Sequence, residues 1–229
     1  MVTIQPPTQF PSNFPRLLKG AIVVLDPSAN AISSTLYFQY NPETLTRTLK
    51  AQASGKEGGD RSETLRLKGA PIETIKLDIE FDSTGPLSKT EKENALSLGI
   101  YPQLSALETL IYPKSAQVRD TMQQAEQGIV EIVPLEAPMT LLIWGKNRVL
   151  PVRLTDFSIT EELYDVNLNP IRAKVSLSVR VLNYDDLPWN QRGSKLFFAH
   201  HQRKEALATQ RDFGYDAKQT GVEVQQIFR

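Results

Sequence analysis

The chain contains no cysteine, which removes disulfides, thiolate nucleophiles and cysteine-ligated metal sites together. Histidine is nearly absent too: His200 and His201 are the only two, too few for most imidazole-based acid–base mechanisms. Net charge is also missing, because 26 basic residues cancel 26 acidic ones, which argues against a protein that coats nucleic acid by neutralising phosphates. Long apolar runs are lacking as well. Leu141-Leu142-Ile143-Trp144 is typical of the longest, far below the roughly 18 residues that a membrane helix needs, so no membrane insertion is expected. Residues 1–16 have neither a basic start nor an apolar stretch, so they are not read as a signal peptide and a cytoplasmic start is expected.

What is present is ordinary for a folded protein of 229 residues: 40% hydrophobic and 23% charged residues. Four prolines, Pro6, Pro7, Pro11 and Pro15, predict an extended N-terminal arm over residues 1–16. Strands are predicted over Leu17–Leu25, ending in Ala21-Ile22-Val23-Val24-Leu25, and over Ser34–Tyr40. Between Lys50 and Glu63, Gly55, Gly58 and Gly59 among polar residues predict a long connection. Glu73–Asp82 alternates cleanly, with Ile75, Leu77, Ile79 and Phe81 on one face and Lys76, Asp78, Glu80 and Asp82 on the other.

A helical insertion follows. Ser88 and Glu91 form a capping box for a helix near 89–98 that Gly99 would stop, and Pro102 opens a second helix striped by Leu104, Leu107, Leu110 and Ile111. Ser115–Gly128 has no clear pattern. Met139–Trp144, a turn at Gly145-Lys146-Asn147 and Val149–Leu163 predict a hairpin. Arg172–Val181 then alternates strictly, with Ala173, Val175, Leu177, Val179 and Val181 inward. Six to eight antiparallel strands around one helical insertion predict a mainly β fold, a sandwich or partly closed barrel over 17–182. Residues 183–229 read as a helical and extended tail, with a helix over Ser194–Arg211 and too few apolar residues for a second core. Phe197, Phe198, Val222, Val224, Ile227 and Phe228 are its candidate interface residues.

No motif carries chemistry. Around Ser54-Gly55-Lys56 a phosphate-binding loop would need Gly where Lys50 stands and Ser or Thr where Glu57 stands. Asp78, Glu80 and Asp82 imitate the start of a calcium loop, but Ser83 replaces its glycine and Lys89 its closing glutamate. His201 and Glu205 are four apart on the tail helix with no third ligand. Glu161, Glu162 and Asp165 sit beside a turn rather than across a cleft, and no Gly-x-Ser-x-Gly elbow exists. The bases Lys195, Arg203, Lys204 and Arg211 around Phe197 and Phe198 suit a protein partner better than nucleic acid. The expectation is a non-enzyme that needs no metal or cofactor.

Two stretches carry a resemblance: Phe38-Gln39-Tyr40-Asn41-Pro42-Glu43, which closes an early strand, and Asn169-Pro170-Ile171-Arg172-Ala173-Lys174-Val175-Ser176-Leu177, which opens the last one. With Pro138-Met139-Thr140-Leu141-Leu142-Ile143-Trp144-Gly145 between them, residues 17 to 182 resemble the tube-protein domain of contractile injection systems, phage-tail-like machines. The resemblance implies a protomer that packs side by side into a hexameric homo-oligomeric ring, with Lys76, Asp78, Glu80 and Asp82 facing the lumen or solvent. Members with a C-terminal extension resemble the baseplate adaptor that joins the inner tube to the hub and spike. That adaptor often ends in a LysM module, and no such module is read here. The resemblance therefore implies a baseplate adaptor whose partners are the inner tube, the hub or spike protein and other baseplate subunits, in a particle assembled in the cytoplasm that is open to later release. The alternatives are an inner tube subunit of the same machine, or a stand-alone β-barrel module for glycan or single-stranded nucleic acid.

Overall fold

The computed structural model describes residues 17–26, 31–53, 66–84, 97–128 and 137–210. The Pro-rich arm, most of the Gly-rich connection, the Ser88–Glu91 capping box and the apolar residues Val222 to Phe228 lie outside the described residues. Seven strands form one antiparallel sheet: β1 Ala21–Leu25, β2 Ile32–Tyr37, β3 Leu45–Lys50, β4 Ile72–Asp82, β5 Thr140–Ile143, β6 Val149–Tyr164 and β7 Pro170–Val181. Their order across the sheet is β2-β1-β5-β6-β7-β4-β3. The fold is mainly β and antiparallel as expected, and the sheet does not close into a full barrel: β2 and β3 are its two edges, and among the described residues neither pairs with the other.

One core cluster draws Ile22 from β1, Ile75 and Ile79 from β4, Leu142 from β5 and Val175 from β7, with Leu36 and Leu45 of the edge strands packed against it. Alternation explains the burial. In β4 the residues Ile75, Leu77, Ile79 and Phe81 are all buried, and in β7 so are Ala173, Val175, Leu177, Val179 and Val181, as the two-residue period requires. β3 follows the Asn41-Pro42 turn and pairs Leu45 with Leu77 through Lys50 with Ile72. The sequence pattern gave no strand there, because Leu-Thr-Arg-Thr-Leu-Lys offers only two apolar residues.

Three helices are described: α1 Tyr101–Glu108, α2 Ser115–Glu126 and α3 Arg192–Thr209. Gly99, at φ +60°, turns the chain into α1, which lays Leu104 and Leu107 on the core. α2 buries no residue at all. α3 corrects one sequence expectation: Phe197 packs into the main core and edge-on to Tyr184, with ring centroids 5.6 Å apart, so it is spent on the protein's own interior and not free as an interface.

Candidate assembly surfaces

The two sequence motifs meet at the far end of β4. Phe38 is fully buried against Trp144, with its backbone N–H donating to Gly20 at 2.9 Å. Only a glycine fits at position 20, since a Cβ there would lie 2.6 Å from the Phe38 ring and 2.9 Å from Trp144. The next polar side chains tie to the segment before β1 and to the end of β4. Asn41 accepts from Gly20 N–H at 2.8 Å and donates to the Leu18 carbonyl at 2.8 Å, while Gln39 accepts from the Asp82 N–H and donates to the Asp82 carbonyl. From the second motif, Arg172 donates to the Asp82 carboxylate through Nη2 at 2.6 Å and Nε at 3.0 Å, and the Ile171 carbonyl accepts from Ser83 N–H. Burial raises the Asp82 carboxyl, but hydrogen bonds from Thr84 and Arg172 outweigh it and hold the group below the usual carboxylate range.

Asp82 is therefore the exception among the four residues expected on the lumen or solvent face. Lys76 and Asp78 are exposed and Glu80 is partly so, but Asp82 keeps only 7% of its surface because Gln39, Thr84 and Arg172 close over it. Across this face the strand register sets Lys76 opposite Ser178, Asp78 opposite Ser176 and Glu80 opposite Lys174. Asp78 accepts from the Ser176 hydroxyl and Lys174 reaches Glu162 at 2.8 Å. Thr44, Thr46, Asp156 and Ser158 extend the hydroxyl-rich floor into a shallow groove of about 380 Å³.

The edges differ from this wetted face. β2, Ile32-Ser33-Ser34-Thr35-Leu36-Tyr37, has no charge and no proline, and exposes Ile32 and Tyr37. β3 exposes Leu49 on the opposite edge. Charged or proline-blocked edges are the usual protection of a sheet that must stay alone, and β2 has neither.

A charged cluster anchors α3. Glu73, only 2% exposed, accepts from Arg47 Nε at 2.6 Å, and Lys204 of α3 stands 3.5 Å from its other oxygen. Burial raises this carboxyl, while the Arg47 hydrogen bond and the Lys204 charge bring it below its ordinary value. Burial and then the Lys204 charge lower the His200 imidazole, although its bond to the Asn147 backbone acts the other way. Beyond the cluster, Phe198 meets the exposed Trp189 edge-on at 5.2 Å, the part of the expected tail interface that stays at the surface.

The residues weighed for chemistry stay apart. Glu162 pairs with Lys174, and Asp165 accepts from the backbone N–H groups of Asn167 and Asn169 to build a turn. His201 stands 3.6 Å from Glu205 and stacks on Tyr184. Among the described residues no three metal-ligating side chains are grouped to hold an ion. The sequence reading missed the side-chain amides of Gln39 and Asn41, whose signal was only their place beside the Asn-Pro turn.

A family model for the contractile injection system tube protein matches residues 17–186. No curated protein matches the chain. Among solved structures, a chain from the tail of an empty gene transfer agent particle, refined with C6 symmetry, is 11% identical over 70% of this chain and 90% of that one, with a TM-score of 0.28. A chain from the virion of a native gene transfer agent is 10% identical over 71% and 90%, with a TM-score of 0.27.

Proposed function

Because the chain belongs to the contractile injection system tube protein family over residues 17–186, and so is a structural component of such a machine, we propose that it is a non-catalytic subunit that closes side by side into a homo-hexameric ring. The observation that carries this reading is the seven-stranded sheet whose two edges, β2 without charge and β3 with Arg47 and Lys50, pair with no further strand among the described residues. Pairing β2 of one copy with β3 of the next is a heterologous contact, which closes into a ring when its rotation divides a full turn. Both strands are six residues long, so the unpaired backbone groups are matched in extent.

In that ring the face bearing Lys76, Asp78 and Glu80 lines the lumen. Its charges are balanced by Arg172, Lys174 and neighbouring hydroxyls, which suits a water-filled channel that must not hold its contents. The finer placement is the baseplate, where residues 17–182 form the wall and residues 183–229 bind the hub, the spike or other baseplate subunits. Exposed Trp189, Phe198 and Leu207 support this placement, since they remain at the surface after α3 has docked on its own core.

The test is charge on the unprotected edge. Ser33→Lys with Ser34→Lys adds two like charges to exposed positions of β2 and leaves the core untouched. In sedimentation velocity and negative-stain images the native chain is expected as rings and the variant as monomers with an unchanged melting temperature. A monomeric native chain, or rings that survive the two lysines, would overturn the reading.

A further inference from the structure

Glu73 gathers more positive charge than it can balance. Both oxygens of its buried carboxylate are engaged, one by Arg47 Nε at 2.6 Å and the other by Lys204 Nζ at 3.5 Å. A third cation stands in the same field. Arg148, half-buried on the β5–β6 turn, is lowered by burial and by the nearby Arg47 guanidinium, against the pull of Glu73. Among the described residues the Arg148 side chain makes no hydrogen bond or ion pair, and Arg47 engages only its Nε, so the Nη groups of both guanidiniums have donors to spare. Three permanent cations against one carboxylate leave an excess of two positive charges in a partly buried place, which is costly until an anion joins them.

The His200 imidazole belongs to the same cluster. The β5–β6 turn holds α3 through the Asn147 backbone, which His200 bonds, and through the Lys146 carbonyl, which accepts from Arg203 at 3.2 Å. Nε2 is left buried with no hydrogen-bond partner among the described residues. Burial, Lys204 on its own helix and Arg47 on β3 keep a proton off this ring, while the Asn147 bond and Glu73 on β4 favour one. An added anion would tip that balance toward protonation. The cluster is also within reach of solutes, because the Arg47 and Lys204 side chains keep 27% and 37% of their surface in solvent.

We propose that Arg47, Arg148 and Lys204 bind a doubly charged tetrahedral oxyanion of the phosphate class where β3, the β5–β6 turn and α3 meet. Two planar guanidinium forks and one ammonium are donors suited to such an ion, and its two negative charges cancel the excess without displacing Glu73. Bound there, it ties edge strand β3 to α3. The site does not depend on the ring and goes beyond it.

The full chain is titrated with sodium sulfate, sodium phosphate and sodium chloride at matched ionic strength, while melting temperature and the imidazole NMR signals are followed. The chain has only two histidines, so His201→Gln assigns the His200 signal. A saturable rise in melting temperature is expected with both oxyanions and not with chloride, together with an upward move of the His200 titration midpoint. Sulfate keeps its charge across this range, so the move is not the ligand's own titration. Arg148→Gln should weaken sulfate binding about tenfold. Because it removes an unbalanced cation, it should not lower the melting temperature in chloride alone. Phenyl phosphate separates the sources: binding as tight as phosphate assigns the site to a phosphate group carried on a larger ligand, and its exclusion assigns the site to the free ion. An equal response to chloride, a His200 midpoint unmoved by sulfate, or an Arg148→Gln chain that binds like the native one or melts lower in chloride would each overturn the proposal.

Discussion

The Gln39 side-chain amide occupies both backbone positions of Asp82, donating to its carbonyl at 2.7 Å and accepting from its N–H at 2.8 Å across 43 residues of sequence. Strand β3 pairs with β4 only as far as Leu77, so beyond that point the outer side of β4 has no strand beside it among the described residues. One amide side chain stands in for the missing backbone partner, at the place where Arg172 binds the same residue's carboxylate.

Removing that amide should be felt as an unsatisfied strand end. Gln39→Leu keeps similar bulk but leaves the buried N–H and C=O of Asp82 unpaired, at a cost of about 1–3 kcal/mol. A lower urea midpoint with an unchanged m-value, and faster amide exchange at Asp82, are the expected readings. An unchanged exchange rate would mean that the amide contributes nothing to holding β4.

β4 and β7 were legible in the sequence because their apolar residues recur every second position, and all of those residues are buried. β3 was not, because its stability comes from pairing with β4 and not from its own pattern. Asp82 followed the polar alternation yet is buried, since a period reports which face a residue takes and not what folds over that face. Phe197 was misread for the same kind of reason: it lies on α3 beside Phe198, and only docking decides which of two adjacent rings turns inward. Neither edge could be read as an assembly surface until the order of the sheet was known.

Gly99 separates two causes of glycine dependence. It holds φ at +60°, and a Cβ there would lie 2.1 Å from the Pro170 carbonyl oxygen, which itself accepts from Ile100 N–H. Gly145 has a similar φ of +69° with nothing within 4 Å. Gly145→Ala should therefore cost only the conformational penalty of about 1–2 kcal/mol. Gly99→Ala should cost clearly more in a denaturant titration, because backbone must also move. Equal costs would show that the contact with Pro170 yields freely.

Glu73 ties α3 to the sheet, and its removal strands two cations. Glu73→Gln leaves Arg47 and Lys204 without their shared carboxylate, for which about 2 kcal/mol at pH 7 is expected, less than for a fully buried pair because both cations reach solvent. The carboxyl titrates below its ordinary value in the fold, so its contribution is complete above the unfolded pKa of about 4.3 and is lost as pH falls through the lower folded value. Acid titrations of native and variant stability should converge at the bottom of that window. Parallel curves would place the stabilisation elsewhere.

His200 gives the same helix a second pH dependence, nearer neutrality. It lies on the buried face of α3, one turn before Lys204 and in the field of Glu73 and Arg47, and burial followed by the Lys204 charge lowers its folded pKa. A depressed imidazole is neutral in the fold, so its share of stability is intact above the unfolded pKa of about 6.5 and falls as pH drops below it, where the unfolded chain takes the proton first. Urea midpoints measured at pH 7.5, 6.5 and 5.5 should decline over the lower interval in the native chain and stay level in His200→Gln, since carboxylates titrate mostly below this range. A decline that survives the substitution would assign the loss to another group. A level native curve would mean that the imidazole accepts its proton in place, with α3 undisturbed.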